Sequence, residues 1–152
     1  MKMWMLFVVV TILCWGAYVP TLHKGQMALG KDSALRAFLF VGLAYLLVSG
    51  AVLAYLLLAK PEPLELNGKG MSISTLAGML GAIGALGIVF ALKQPGGSPL
   101  MIPPLVFAGA PIVNTFVAMA MKPPSKAPGA LFFVGIGLAA MGAFLALRYR
   151  PT

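Results

Sequence analysis

The sequence predicts an all-α membrane protein that crosses the bilayer as five transmembrane helices, and three observations predict it. Of the 152 residues, 61% are hydrophobic and only 9% are charged, whereas about a quarter of an ordinary soluble domain is charged. The apolar residues fall into stretches near the length of about 20 that a helix needs to cross a ~30 Å hydrocarbon core. Those stretches lack the two-residue alternation of barrel strands, so helices are left as the way to close backbone hydrogen bonds in lipid.

Charged residues mark the element boundaries. The first span is expected over residues 3–22, between Lys2 and His23, with a continuation toward Leu29. The second covers 37–59, between Arg36 and Lys60, and the third 71–92, between Lys69 and Lys93. The turn signal Gln94-Pro95-Gly96-Gly97-Ser98-Pro99 follows. It leaves 100–121 for the fourth span, and 128–147, between Lys126 and Arg148, for the fifth. All connections are short, so 1–152 reads as a single membrane domain. Lys2 and Met3–Val10 resemble the start of a secretory signal, but no prompt small-x-small cleavage site follows, and the segment is read as retained.

The net charge of +8 does not point to nucleic acid, because the basic residues stand singly or in pairs between apolar stretches, as membrane flanks do. With alternating spans, the side of the N-terminus carries Lys2, Lys60, Lys69, Lys122 and Lys126. The other side carries Lys24, Lys31, Arg36, Lys93, Arg148 and Arg150. The positive-inside rule needs a clear bias, and this count supplies none.

Particular residues stand out within the spans. Thr11, Trp15 and Tyr18 fall on one face of the first helix. Pro20 is expected to kink that helix, as Pro104 and Pro111 are in the fourth. Pro104, Phe107, Pro111 and Asn114 share a stripe. Broken helices at membrane depth are tolerated where they line a cavity, and transporters bind substrate there. Trp15, Tyr18, Lys24, Phe107 and Asn114 are therefore the candidate substrate contacts. Each has a plainer reading: packing for the aromatics, a snorkelling flank for Lys24, interhelical glue for Asn114. Gly78, Gly81 and Gly84 in the third span and Gly135 in the fifth are read as helix-packing positions, because small residues at such spacing let backbones approach closely.

Other chemistries are set aside. The only acids, Asp32, Glu62 and Glu65, lie outside the spans, so no intramembrane carboxylate is available to exchange a proton for a cation. No catalytic triad, phosphate loop or carboxylate pair occurs, and an enzyme is not expected. His23 has no ligand at metal spacing, Cys14 reads as a small buried hydrophobe, and neither a metal nor a cofactor is assigned.

Several passages together resemble a single EamA-type repeat of the drug/metabolite transporter superfamily. Trp15-Gly16 followed by a lysine looks like that family's first helix, and Leu76–Gly81 through Ala91-Leu92-Lys93 like its third. Ser98-Pro99-Leu100 with Ala110–Val113 looks like its fourth, and Gly129-Ala130-Leu131 through Ala140-Met141-Gly142 like its fifth. The fourth span is richer in proline than the family's, and Lys122-Pro123-Pro124-Ser125-Lys126 replaces its common Gly-Glu turn. Most members carry two inverted repeats with the binding cavity between them. The resemblance implies one EamA-like bundle in a bacterial inner membrane, with its cavity walled by the first, third and fourth spans. It implies a partner too: a homodimer, antiparallel in keeping with the balanced charges, or a related half-transporter. The function expected is half-size transport of a small metabolite by alternating access. The alternative is a non-transporting integral membrane subunit or scaffold of a larger complex.

Overall fold

A computed structural model describes residues 2–149. Among them the chain forms five α-helices in order and no strand: α1 (Met3–Ala28), α2 (Ala34–Ala59), α3 (Gly68–Lys93), α4 (Ile102–Met121) and α5 (Ala130–Arg148). Each is long and apolar enough to cross a bilayer. These helices mark the chain as an integral multi-pass membrane protein. Arg150, counted among the flanking cations, lies outside the described residues.

The helix ends follow from local chemistry. α1 runs unbroken through Pro20 and closes at Gly30, whose φ of 87° is the left-handed conformation that suits glycine after a helix. α2 closes on Lys60 at φ 47°, followed by Pro61, which cannot continue a helix. At the start of α3 the Asn67 side chain accepts the Gly70 N–H at 2.7 Å, an N-cap bond. That helix stops at Gln94, which the next residue, Pro95, holds extended. α1, α2 and α3 each have 26 residues, about 39 Å at 1.5 Å per residue. They exceed the hydrocarbon core and must tilt or project beyond it.

The chain divides into two compact units, Met1–Pro95 and Gly96–Thr152. In the first, α1, α2 and α3 run antiparallel in turn, and the core sits at one end. Val19, Leu22 and Gln26 from late α1, Ala34 and Ala37 from early α2, and Val89 and Leu92 from late α3 are buried. The preceding part of α1, through Ala17, is exposed. In the second unit α4 and α5 pair as a hairpin, and no residue of α5 is buried. Apolar side chains left uncovered in this way are at home in lipid, which does not penalise them as water does.

Candidate functional site

The best-built polar site lies where α1 turns into α2, against the end of α3. Gln26 is on the same stripe as Val19 and Leu22, so it points into the core. It is only 7% exposed. Its Nε2 donates to the Val89 carbonyl of α3 at 3.0 Å. Ser33 occupies the position where a serine often caps a helix, but its Oγ donates to the Gln26 carbonyl at 2.6 Å. The turn is thus fastened back onto α1. Asp32, in the left-handed conformation at φ 55°, turns its carboxylate onto the Lys93 Nζ at 2.7 Å. The hydrogen bond and charge of Lys93 hold the Asp32 carboxyl below the usual carboxylate range. Arg36 Nη2 donates to the Lys31 carbonyl at 2.8 Å. A cavity of about 210 Å³ is lined by His23, Gln26, Asp32, Ser33 and Lys93, among others. Gln26 Oε1 and His23 Nδ1 are buried without a hydrogen-bond partner among the described residues.

Of the candidates on α1, Tyr18 is half-buried and lines an open groove of about 700 Å³ between α1 and α2, opposite Phe40, Val41 and Ala44. Cys14, expected to be a small buried hydrophobe, is instead exposed and lines the same groove. Trp15 is 59% exposed and is not among the groove residues. The Thr11 hydroxyl donates to the Phe7 carbonyl at 2.9 Å, within its own helix. Lys24 is exposed, one turn before the end of α1.

In the α4–α5 unit, Phe107, Pro111 and Thr115 face Leu131, Phe132 and Gly135 across a groove of about 380 Å³. Pro111 stands inside α4 and removes the bond its N–H would make to the carbonyl four residues earlier. Thr115 Oγ1 donates to the Pro111 carbonyl at 2.8 Å, a bond back onto the preceding turn that leaves the acceptor freed by Pro111 unaddressed. Asn114 is exposed beside this groove, not in it.

Two further expectations are corrected. Pro104 falls in the first turn of α4, where backbone N–H groups have no intrahelical acceptor to lose, so it gives no reason for a kink. The glycines at 78, 81, 84 and 135 do not mediate close packing within their own units: among the described residues there, a Cβ added at any of them meets no heavy atom within 4 Å. Gln26 and Ser33, by contrast, were not singled out from the sequence. The signal for Gln26 was present, an amide following the Val19 and Leu22 stripe at helical spacing. No family model, curated protein or solved structure matches the chain.

Proposed function

We propose that the chain is a half-size membrane transporter of a small metabolite, built as a single EamA-type repeat and working as a dimer by alternating access. The observation that carries this reading is Asn114. It stands about 18 Å along α4 from Ile102, by the rise of a helix, and so near the middle of the hydrocarbon core. Its amide is exposed there, with no hydrogen bond among the described residues. An unsatisfied amide in lipid is costly, so a facing helix or a polar cavity must meet it. The open glycine face of α3 adds a second surface shaped for close approach by another helix.

In this reading a second copy, inverted in the membrane, or a related half supplies the missing wall. Trp15, Tyr18, Phe107 and Asn114 face the substrate, and Lys24 reaches it from the rim. Without a carboxylate in the spans, a neutral or weakly anionic metabolite suits the site best. A bacterial inner membrane is the location that the family resemblance favours.

The test combines topology and access. A reporter active on one side only is fused to the C-terminus, and single cysteines replace Tyr18 and Asn114 in a Cys14→Ala background. Dual insertion, a dimer in mild detergent and thiol labelling at both positions by a small polar reagent are expected. A strict monomer whose two cysteines resist the reagent overturns the proposal. Stoichiometric co-purification with an unrelated membrane protein establishes instead the non-transporting subunit, for which the same uncovered faces would be docking surfaces.

A further inference from the structure

We infer that the groove between α1 and α2 is a binding site for one anionic phospholipid, with its acyl chain along the helices and its phosphate at the α1–α2 turn. This goes beyond the transport reading: it shares Tyr18 and Lys24 with that reading but rests on the groove and its cations, not on Asn114. The groove holds about 700 Å³ and is walled by apolar and small side chains, among them Ala17, Leu22, Gly25, Phe40 and Ala44. Its openness along two membrane-length helices makes a lipid chain the natural filler.

Charge selects the headgroup. Four cations, Lys24, Lys31, Arg36 and Lys93, gather at the turn end of this three-helix unit, against one acid, Asp32. Asp32 is engaged by Lys93, and no carboxylate pairs with Lys24, Lys31 or Arg36 among the described residues. Lys24 lies one turn from the groove residues Thr21 and Ala28 on the surface of α1. Arg36 stands one turn before Phe40 on α2. Its guanidinium is tied to the turn through the Lys31 carbonyl, which leaves its other N–H groups to reach a phosphate. At the opposite end of the unit the balance differs, because Lys60 and Lys69 share their connection with Glu62 and Glu65. Basic residues at the mouth of an interhelical cleft, above an apolar groove, fit a phosphodiester with an attached chain.

The experiment measures lipid retained on the full chain, released from detergent for native mass spectrometry, with phosphatidylglycerol and phosphatidylcholine as probes. Juxtamembrane cations are each worth about fivefold, so three give a preference for phosphatidylglycerol on the order of a hundredfold. The triple variant Lys24→Gln, Lys31→Gln, Arg36→Gln is expected to abolish the preference, and Lys60→Gln with Lys69→Gln to leave it. Gly25→Leu fills the groove, since a Cβ there meets nothing within 4 Å, and is expected to lower retention of both lipids without loss of helix content. Should the triple variant fail to fold, rising salt on the wild-type chain must still erase the preference. Equal retention of the two lipids by wild type, a preference that survives the triple variant or high salt, or full retention by Gly25→Leu overturns the inference. So does displacement of the bound lipid by glycerol phosphate at concentrations comparable to the lipid's own, which would mark a headgroup site with no use for the groove.

Discussion

Gln26 of α1 donates its amide hydrogen to the carbonyl of Val89 in α3 across 3.0 Å, and this bond ties the first and third helices together inside the buried end of their unit. The Val89 side chain is itself fully buried. The amide thus serves packing and polar pairing at one place, although its Oε1 has no partner among the described residues.

Gln26→Ala loses the bond and leaves a gap in the core, and is expected to destabilise the unit by about 1–2 kcal/mol. Gln26→Leu loses the bond but fills the space and removes the unpartnered oxygen. Its stability is expected within about 1 kcal/mol of wild type. Thermal unfolding in detergent, followed by circular dichroism, separates the two. Equal large losses would mean that the hydrogen bond dominates the packing.

The Asp32–Lys93 pair predicts a titration. The folded carboxyl titrates below its unfolded value, so the pair's contribution is complete above the unfolded carboxylate pKa. It fades as pH falls through the lower, folded one. Both side chains are substantially exposed, at 46% for Lys93 and 81% for Asp32, so the effect is small and screened by salt. Carboxyl NMR of Asp32 is expected to show its pKa rising in Lys93→Gln. An unchanged titration would show that the pair does not form in solution.

Lys60 ends α2 with a positive φ of 47°, a conformation that disfavours a residue with a Cβ. Lys60→Gly relieves it and is expected to stabilise the protein by about 0.5–1 kcal/mol. Gly30 is the complementary case, at φ 87°, and Gly30→Ala is expected to lower stability by about 1 kcal/mol. The unfolding midpoints of both variants check the pair. Movement in the same direction would contradict the backbone conformations described.

Gly81→Leu tests the open face of α3. Nothing among the described residues of its unit lies within 4 Å of the new Cβ, so helix content and thermal stability of the monomer are expected to hold. If the proposed dimer packs on this face, the dimer fraction in mild detergent falls at least tenfold. Light scattering on the purified variant reads it, and an unchanged dimer moves the interface elsewhere.

Much of the fold is legible in the chain itself. Lys2, Lys60, Lys69, Lys93 and Arg148 punctuate the spans because charge is expelled from hydrocarbon; Pro61, Pro95 and the Pro123-Pro124 pair stop helices for steric reasons, and Gly30 because it takes the left-handed conformation at little cost. Helices nevertheless run past the first charged residue where the side chain can reach the interface. α1 thus carries His23 and Lys24, and α2 begins at Ala34, before Arg36. The site was less legible. Helical spacing put Thr11, Trp15 and Tyr18 on one face of α1, yet of the three only Tyr18 lines the α1–α2 groove; nor could spacing tell that Asn114 sits beside the α4–α5 groove or that Pro104 falls in the first turn.

What the sequence by itself determined is the solvent and the count of spans. Hydrophobic length and the cost of an unpaired backbone in lipid admit few alternatives to five crossing helices. What only the tertiary structure decided is which polar groups meet. The Gln26–Val89 bond joins residues 63 apart in sequence, and Ser33 gives its hydroxyl to α1 instead of capping α2. The Asp32–Lys93 pair and the empty space beside the α3 glycines likewise appear only when the helices are placed. Local periodicity fixes the face a residue takes on its own helix. The partner on that face depends on how helices distant in sequence are packed, and no local pattern encodes it.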